Sequence, residues 1–347
     1  MADVEPILIG MVDDISAPGT RTYERCLRVG LDQAIASGRL DRPVELIYEE
    51  ARGLPSGTTH DVVRTFGGLL ERGVVAILGP TVTDNVLAIV DVADRAKVPC
   101  LQWAGSEETR SEWVFNYQAG SLEDEPALLA EYAASQGLRR VAVVHDTAAT
   151  GLRMMSFFDR ATARFGLQVV FRRGASALGS LPPSTVPDLL ATRPDVVVHL
   201  GMWSLVPLAA RLQQAAPALP KLSNIAASVA QVRTEWLPPL EGWIFTGMSS
   251  ESNPTGANLA AHIGRKPPLG TRELVGLDVG RLLAEALVNA PLLAPSGVRA
   301  GLELIKVMPA AAGHNGTVLG FGHWDRAALK GRYLVLQRYR GGRAEQL

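Results

Sequence analysis

Residues 74–106, VVAILGPTVTDNVLAIVDVADRAKVPCLQWAGS, constrain the fold more than any other stretch, because they read as strand, polar turn, helix, strand and polar turn. The apolar run Val74-Val75-Ala76-Ile77-Leu78 suits a buried parallel strand, and Gly79-Pro80 stops it. Thr81, Thr83, Asp84 and Asn85 can each cap a helix that begins near Val86, carries Val86, Val90 and Ala93 at helical spacing, and ends near Lys97. Val98-Pro99 then opens the strand Cys100-Leu101-Gln102, which delivers Trp103-Ala104-Gly105-Ser106 to the same sheet edge as the first turn. Small residues and hydroxyls beside a helix N-terminus make a polar cradle that a ligand can approach closely.

The flanking sequence continues the alternation. A strand at 7–12 is followed by a helix at about 23–37 with Leu27, Leu31 and Ile35 on one face, and a strand at 44–48 by a helix at 60–71. After the strand-like Val114-Phe115-Asn116-Tyr117 the pattern starts again. Helices are expected at 127–135, at 150–165 and with Pro207 near the start of a third, with strands at 141–144, 167–171 and 195–201 and shorter ones at 222–225 and 243–246. From Glu251 the chain reads as a return to the first domain, with helices at 273–289 and 298–307, one hairpin arm at 317–321 and a last strand at 333–338. Strands alternating with helices predict an α/β fold of parallel sheets with helices on both faces, and two such runs followed by more of the first predict two lobes crossed several times.

At 347 residues and 47% hydrophobic, the chain can bury two cores. Its net charge of -1, with Lys and Arg scattered, gives no reason to expect a nucleic-acid surface. No apolar run reaches the roughly 18 to 20 residues of a membrane span, so a protein that is not membrane-embedded is expected. Cys26 and Cys100, on a helix and a strand, are expected as buried free thiols. The first residues show no leader pattern, so the expectation is a cytoplasmic protein unless a signal peptide has been removed, in which case it is extracytoplasmic. Six histidines lie singly, and no phosphate-binding, nucleophile-elbow or zinc motif is present, so neither metal, cofactor nor catalysis is expected.

The order of elements, the Gly79-Pro80-Thr81-Val82-Thr83 turn, the Val98-Pro99 strand start and the hairpin Gly316-Thr317-Val318 to Phe321 resemble the type I periplasmic binding proteins. The branch is that of the leucine/isoleucine/valine-binding solute receptors of ABC transporters. The resemblance implies two doubly wound parallel-sheet lobes joined by a three-crossover hinge, with ligand trapped between them. It places crossovers near Ala119, near Gly247 and at 324–330, hence an N-terminal lobe of 1–119 with 248–326 and a C-terminal lobe of 120–247 with 327–347. ABC permease subunits would be the partners of an exported receptor, and a cytoplasmic sensor of the same fold is the alternative.

In that family a hydroxyl after the first cleft strand and an Ala-x-Ser/Thr group after the second hold the ligand carboxylate, and these positions fall on Thr83, Ala104 and Ser106. The second lobe's aromatic positions fall on Thr150, in Asp146-Thr147-Ala148-Ala149-Thr150-Gly151, and roughly on Trp203. Trp103, Tyr23 and Asn224 complete the candidate ligand-binding set, with Asp13, Asp14 and Arg21 as loop charges that could line the site or simply cap. Amino-acid binders of the family place an acid at about the level of 224–227, where this sequence reads Asn-Ile-Ala-Ala. A buried ammonium without a partner is costly, so the expected ligand is a small organic acid or amide.

Overall fold

The computed structural model describes residues 5–15, 20–176 and 180–347, with the side chains of Thr20 and Arg21 outside the described set. In chain order the elements are β1 (Ile7–Asp13), α1 (Thr20–Ala36), β2 (Val44–Glu50), α2 (Thr59–Glu71), β3 (Ala76–Leu78), α3 (Thr83–Ala96), β4 (Cys100–Gln102) and β5 (Val114–Asn116). There follow α4 (Asp124–Ser135), β6 (Arg140–Asp146), α5 (Ala149–Phe165), β7 (Gln168–Ala175), α6 (Thr185–Ala191), β8 (Val196–Leu200), α7 (Leu205–Ala215), β9 (Lys221–Ser223) and β10 (Ile244–Gly247). The chain ends with α8 (Pro254–His262), α9 (Thr271–Val288), α10 (Pro295–Leu304), β11 (Met308–Pro309), β12 (Val318–Leu319), β13 (Leu329–Lys330), β14 (Val335–Arg340) and β15 (Arg343–Gln346).

Two compact units divide the chain, Met1–Ala119 with Met248–Tyr333, and Gly120–Gly247 with Leu334–Leu347, so the backbone passes between them three times. The third passage follows Tyr333, whereas the sequence set it at 326/327. Residues 327–330 belong to the first unit because Ala327 bridges Asn116 and β13 pairs with β12.

The first unit holds a fully parallel sheet in the order β2-β1-β3-β4-β5. One face is closed by α2 and α3, which bury Val62, Phe66, Leu69, Val86, Ile89 and Ala93 against Val12, Ile77 and Cys100. Helices α1 and α9 pack together at close range. A Cβ on Gly280 would stand 2.0 Å from the Leu27 carbonyl oxygen and one on Gly30 would stand 2.6 Å from the Arg281 nitrogen, so only glycine permits this approach. A helical glycine costs about 1 kcal/mol relative to alanine, which the packing of the two helices offsets.

The second unit repeats the winding, since β7-β6-β8-β9-β10 is parallel and has the same order relative to its own first strand. Its sheet continues antiparallel into β14 and β15, making seven strands. Two apolar clusters are built on this unit, one with Leu205, Leu208, Trp243, Phe245 and Tyr339, the other with Leu129, Met154, Phe158, Val141 and Val143.

Local reading placed most elements with shifted ends, α10 for example lying three residues earlier than the 298–307 expected, and three differences bear on the fold. Helix α3 starts at Thr83 instead of near Val86, and none of its own residues caps it by a side-chain bond. Helix α8 escaped notice although Asn253 accepts a 3.0 Å bond from the Gly256 N–H and Pro254 occupies the first position, both ordinary start signals. The last strand continues through Gly341-Gly342 into β15, which pairs back on β14.

Candidate functional site

In each unit the order of parallel strands reverses beside the first strand, and ligands of such sheets gather outside the carboxyl ends at that switch point. The two units arrange this edge alike. In the first, β1 runs into Asp14, whose buried carboxylate accepts from the N–H of Thr81 at 2.7 Å, the N–H of Val82 at 3.0 Å and Asn85 Nδ2 at 2.8 Å. An acid 67 residues upstream of Thr81 thus holds the turn that leads into α3, through the two backbone N–H groups ahead of the helix and the Asn85 side chain in its first turn. Burial raises the Asp14 pKa, opposed by these three donors. In the second unit, β6 ends at Asp146, whose carboxylate accepts from the N–H of Met202 at 2.6 Å and of Trp203 at 2.9 Å and from the Ser204 hydroxyl. Gly151 sits against this strand end, where a Cβ would lie 2.2 Å from the Asp146 carbonyl oxygen.

Thr83 is the first residue of α3; it is buried, and its hydroxyl has no partner among the described residues. Beyond β4 the segment 104–106 is buried, and α3 lies against the short turn of 3-10 helix, Glu107–Thr109, that follows it. Ser106 caps that turn by accepting from the Glu108 N–H at 3.2 Å. The Ala104 N–H is turned inward to Gln102 Oε1, so it is not open to a ligand. Among the described residues the N–H groups of Gly105 and Ser106 have no intramolecular acceptor. A buried amide left unpaired costs about 1 to 3 kcal/mol, so two in succession mark a place built for an external acceptor.

Tyr23 packs on Trp103 with ring centroids 4.8 Å apart at 40°, which brings these two candidates together. Tyr23 is buried and its hydroxyl lacks a partner among the described residues, whereas Trp103 is half-buried. Asp278, buried in α9, accepts from Tyr117 Oη at 2.9 Å, from the N–H of Ala311 at 2.7 Å and from that of Ala312 at 3.2 Å. Asp13 accepts from the Tyr48 hydroxyl and from the Ile15 N–H.

In the second unit Trp203 follows β8, half-buried, and Thr150 stands in the first turn of α5. Asn224, after β9, is buried and its Oδ1 accepts from the Gly201 N–H at 3.3 Å, so half of its amide is spent on the neighbouring strand end. The two histidines near strand ends are likewise engaged. His145 Nδ1 lies 2.9 Å from the Asp146 carbonyl oxygen, and His199 spans Ser204 at 2.9 Å and Ser223 at 3.4 Å. Ser204 donates to Asp146, so the ring must donate through Nε2 to Ser204 and accept through Nδ1 from Ser223. Burial pushes His199 down to about 4, keeping it neutral. A nucleophilic serine needs to give its proton to the histidine, and this chain of bonds runs the other way.

One acid near the level of 224–227 was missed. Glu125, on α4, brings its carboxylate to the end of β9, accepting from the N–H of Ile225 at 2.5 Å, the N–H of Ser121 at 2.8 Å and the Thr246 hydroxyl. It is 1% exposed, and burial pushes its pKa up to about 7 against these donors. Its only sequence signal was an acidic first turn, Glu123-Asp124-Glu125-Pro126, which reads as an ordinary cap.

Two units of one winding, each ending its first strand in an acid that holds the next strand's turn, and a sheet edge with unpartnered donors define a binding protein of the type I periplasmic fold. The family model described as periplasmic binding protein matches residues 6–328, and the chain belongs to that family. Solved structures agree with the fold. An ABC transporter substrate-binding protein from Desulfitobacterium hafniense in complex with Leu is 17% identical, with a TM-score of 0.80 over 99% of this chain and 100% of that one. A type 1 periplasmic binding protein from Bordetella pertussis Tohama I is 17% identical, with a TM-score of 0.82 and the same coverage. The leucine-binding protein LivK from Thermotoga maritima is 16% identical, with a TM-score of 0.78 over 98% of this chain and 97% of that one. No curated protein sequence is detectably similar. Among the described residues no helix is long and apolar enough to cross a membrane.

Proposed function

We propose that the protein is the solute-binding receptor of an ABC importer, acting outside the cytoplasm, and that it takes a small organic acid or amide without catalysing a reaction on it. The observation that carries this reading is the edge of the first unit, where the Gly105 and Ser106 N–H groups and the Thr83 hydroxyl are donors with no acceptor of their own among the described residues. A carboxylate stripped of water recovers its hydrogen bonds from such donors, and an α3 N-terminus beside them favours the negative charge. In this reading the Thr83 hydroxyl and the Gly105 and Ser106 N–H groups hold the ligand's carboxylate or amide, Ala104 lies beside them with its own N–H bonded inward, and the Tyr23–Trp103 pair faces the apolar tail. Thr150, Trp203 and Asn224 are the second unit's candidates. ABC permease subunits are the partners.

Glu125 does not make an ammonium site in this reading. A carboxylate has about four acceptor positions, and three are already taken by Ile225, Ser121 and Thr246. The comparison that tests the ligand class is isothermal titration with 4-methylpentanoate and with leucine, which share a carboxylate and a side chain and differ in the amine. Binding of 4-methylpentanoate is expected, weakened about tenfold or more by Thr83→Ala or Ser106→Ala, since each removes a bond to a charged group. Tight binding of leucine with none of 4-methylpentanoate would overturn the ligand class, and indifference of a bound ligand to both substitutions would overturn the site.

A further inference from the structure

The segment 104–106 is held from behind by three side chains of zero exposure, Gln102 at the end of β4, Asn116 at the end of β5 and Thr109 in the short helical turn. Asn116 Nδ2 donates to the carbonyl oxygen of Ala104 at 3.3 Å, to that of Ser106 at 3.0 Å and to Thr109 Oγ1 at 2.9 Å. Thr109 Oγ1 donates to the Ser106 carbonyl oxygen at 2.7 Å. Gln102 accepts the Ala104 N–H through Oε1, and its Nε2 donates to Asn116 Oδ1 and, at 3.3 Å, to Thr109 Oγ1. Three polar groups are thus buried together, an arrangement that stabilises only when every member is satisfied, and almost all of their bonds go to one short segment or to each other.

The consequence follows from the peptide unit itself. A trans peptide is planar, with its C=O and N–H antiparallel. Drawing the Ala104 carbonyl inward to Asn116 turns the N–H of the same peptide, which belongs to Gly105, outward. Drawing the Ala104 N–H inward to Gln102 removes that donor from the edge. The absence of an acceptor for the Gly105 N–H among the described residues is what this geometry produces.

We propose that Gln102, Thr109 and Asn116 are positioning residues that aim the Gly105 N–H at the ligand's anionic oxygen, so that Gly105 and not Ala104 supplies the backbone donor after β4. The inference rests on the reading of this edge as the anion-holding half of the site. Its energetic logic is preorganisation: the donor is oriented before the ligand arrives, so little ordering is required on binding. The gain falls mainly on a charged acceptor, because bonds to ionised oxygens are about twice as strong as bonds to neutral ones.

The test compares wild type, Thr109→Val and Thr109→Ser against 4-methylpentanoate and 4-methylpentanamide, which share the tail and differ in the head group, an anion with two acceptor oxygens against a neutral group with one acceptor oxygen and an NH2 donor. Valine keeps the shape and removes the hydroxyl that Gln102, Asn116 and Ser106 share; serine restores it. The expected result for Thr109→Val is about a tenfold loss of affinity for the carboxylate and about a twofold loss for the amide, with Thr109→Ser within about twofold of wild type. A Thr109→Val protein that retains wild-type affinity, or loses both probes equally, overturns the positioning role. If Ser106→Ala is also without effect on a wild type that binds, the anion-holding reading itself fails, and a wild type that binds neither probe overturns both. Wild-type amide NMR supplies the measurement that needs no variant. Adding 4-methylpentanoate should move the Gly105 amide proton downfield and leave that of Ala104 in place, whereas the reverse would refute the assignment.

Discussion

Replacing Glu125 by glutamine should flatten one segment of the protein's stability-versus-pH curve. Glu125 is buried among the Ser121 and Ile225 amides and the Thr246 hydroxyl, and burial is the largest influence on it, raising its pKa from 4.5 to about 7. Asp124, on the same helix, pushes in the same direction. In the unfolded chain the group releases its proton near 4.5, while in the folded protein it holds it until about 7. Between those values the folded state binds the extra proton, so the stabilisation is complete below 4.5, declines as pH rises, and is gone above 7. At about 1.4 kcal/mol per pH unit the interval is worth roughly 3 kcal/mol. Glutamine cannot titrate; its amide opposes one of the donors at every pH, which adds a constant offset and no slope. Asp14 and Asp278, also raised by burial, slope the same way in both proteins and cancel in the difference. Urea unfolding followed by tryptophan fluorescence at about pH 4.5, 6 and 8 gives the two curves. Their difference should change by roughly 3 kcal/mol in favour of the glutamine variant as pH rises, and a difference constant to within about 1 kcal/mol would refute the reasoning.

Asp14→Ala leaves the Thr81 and Val82 amides without their acceptor and the Asn85 side chain with only the Leu54 carbonyl oxygen, and should destabilise by about 3 kcal/mol or more in urea unfolding at neutral pH. Gly280→Ala forces a methyl to 2.0 Å from the Leu27 carbonyl oxygen, so α1 and α9 must separate; a loss of about 1 to 3 kcal/mol is expected, and an unchanged melting temperature would contradict the close packing. Ser106→Ala should also lower apo stability by about 1 kcal/mol, because Ser106 caps the turn through Glu108, while Thr83→Ala should leave it nearly unchanged. Neither thiol should react with Ellman's reagent in the native protein at mildly alkaline pH: burial pushes Cys26 up to about 11 and Cys100 higher still, and Cys100 also donates to the Gly79 carbonyl oxygen. Both should react once guanidinium unfolds the chain, and fast native labelling would show that the burial is wrong.

The elements were legible because each is announced within a few residues. Leu27 and Leu31 repeat at helical spacing on α1, and both are fully buried. Val141 to Val144 and Val196 to Val198 are continuous apolar runs, as strands covered on both faces require, and all are fully buried. The turns at 79–83 and 103–106 were recognisable as the edge of interest for the same reason, since glycine, proline and hydroxyl residues interrupt apolar runs locally. Family resemblance then ordered these pieces into two units with three passages, and the family model matches residues 6–328.

What the amino-acid sequence determined by itself is therefore the alternation of strands and helices and the composition of the turns between them, because both depend on periodicities of two and 3.6 residues and on near neighbours. Which groups at those turns remain available was decided only by tertiary structure. Asp14 reaches Thr81 across 67 residues, Glu125 reaches Ile225 across 100, and Asn116 takes the Ala104 carbonyl that turns the next amide around. Hydrogen bonding is satisfied by whatever lies closest in space, and the folded sheet brings those strand ends together regardless of their distance along the chain. For the edge at 103–106 this leaves Gly105 and Ser106, and not Ala104, with the free backbone donors among the described residues, a distinction of one peptide plane that no local pattern records.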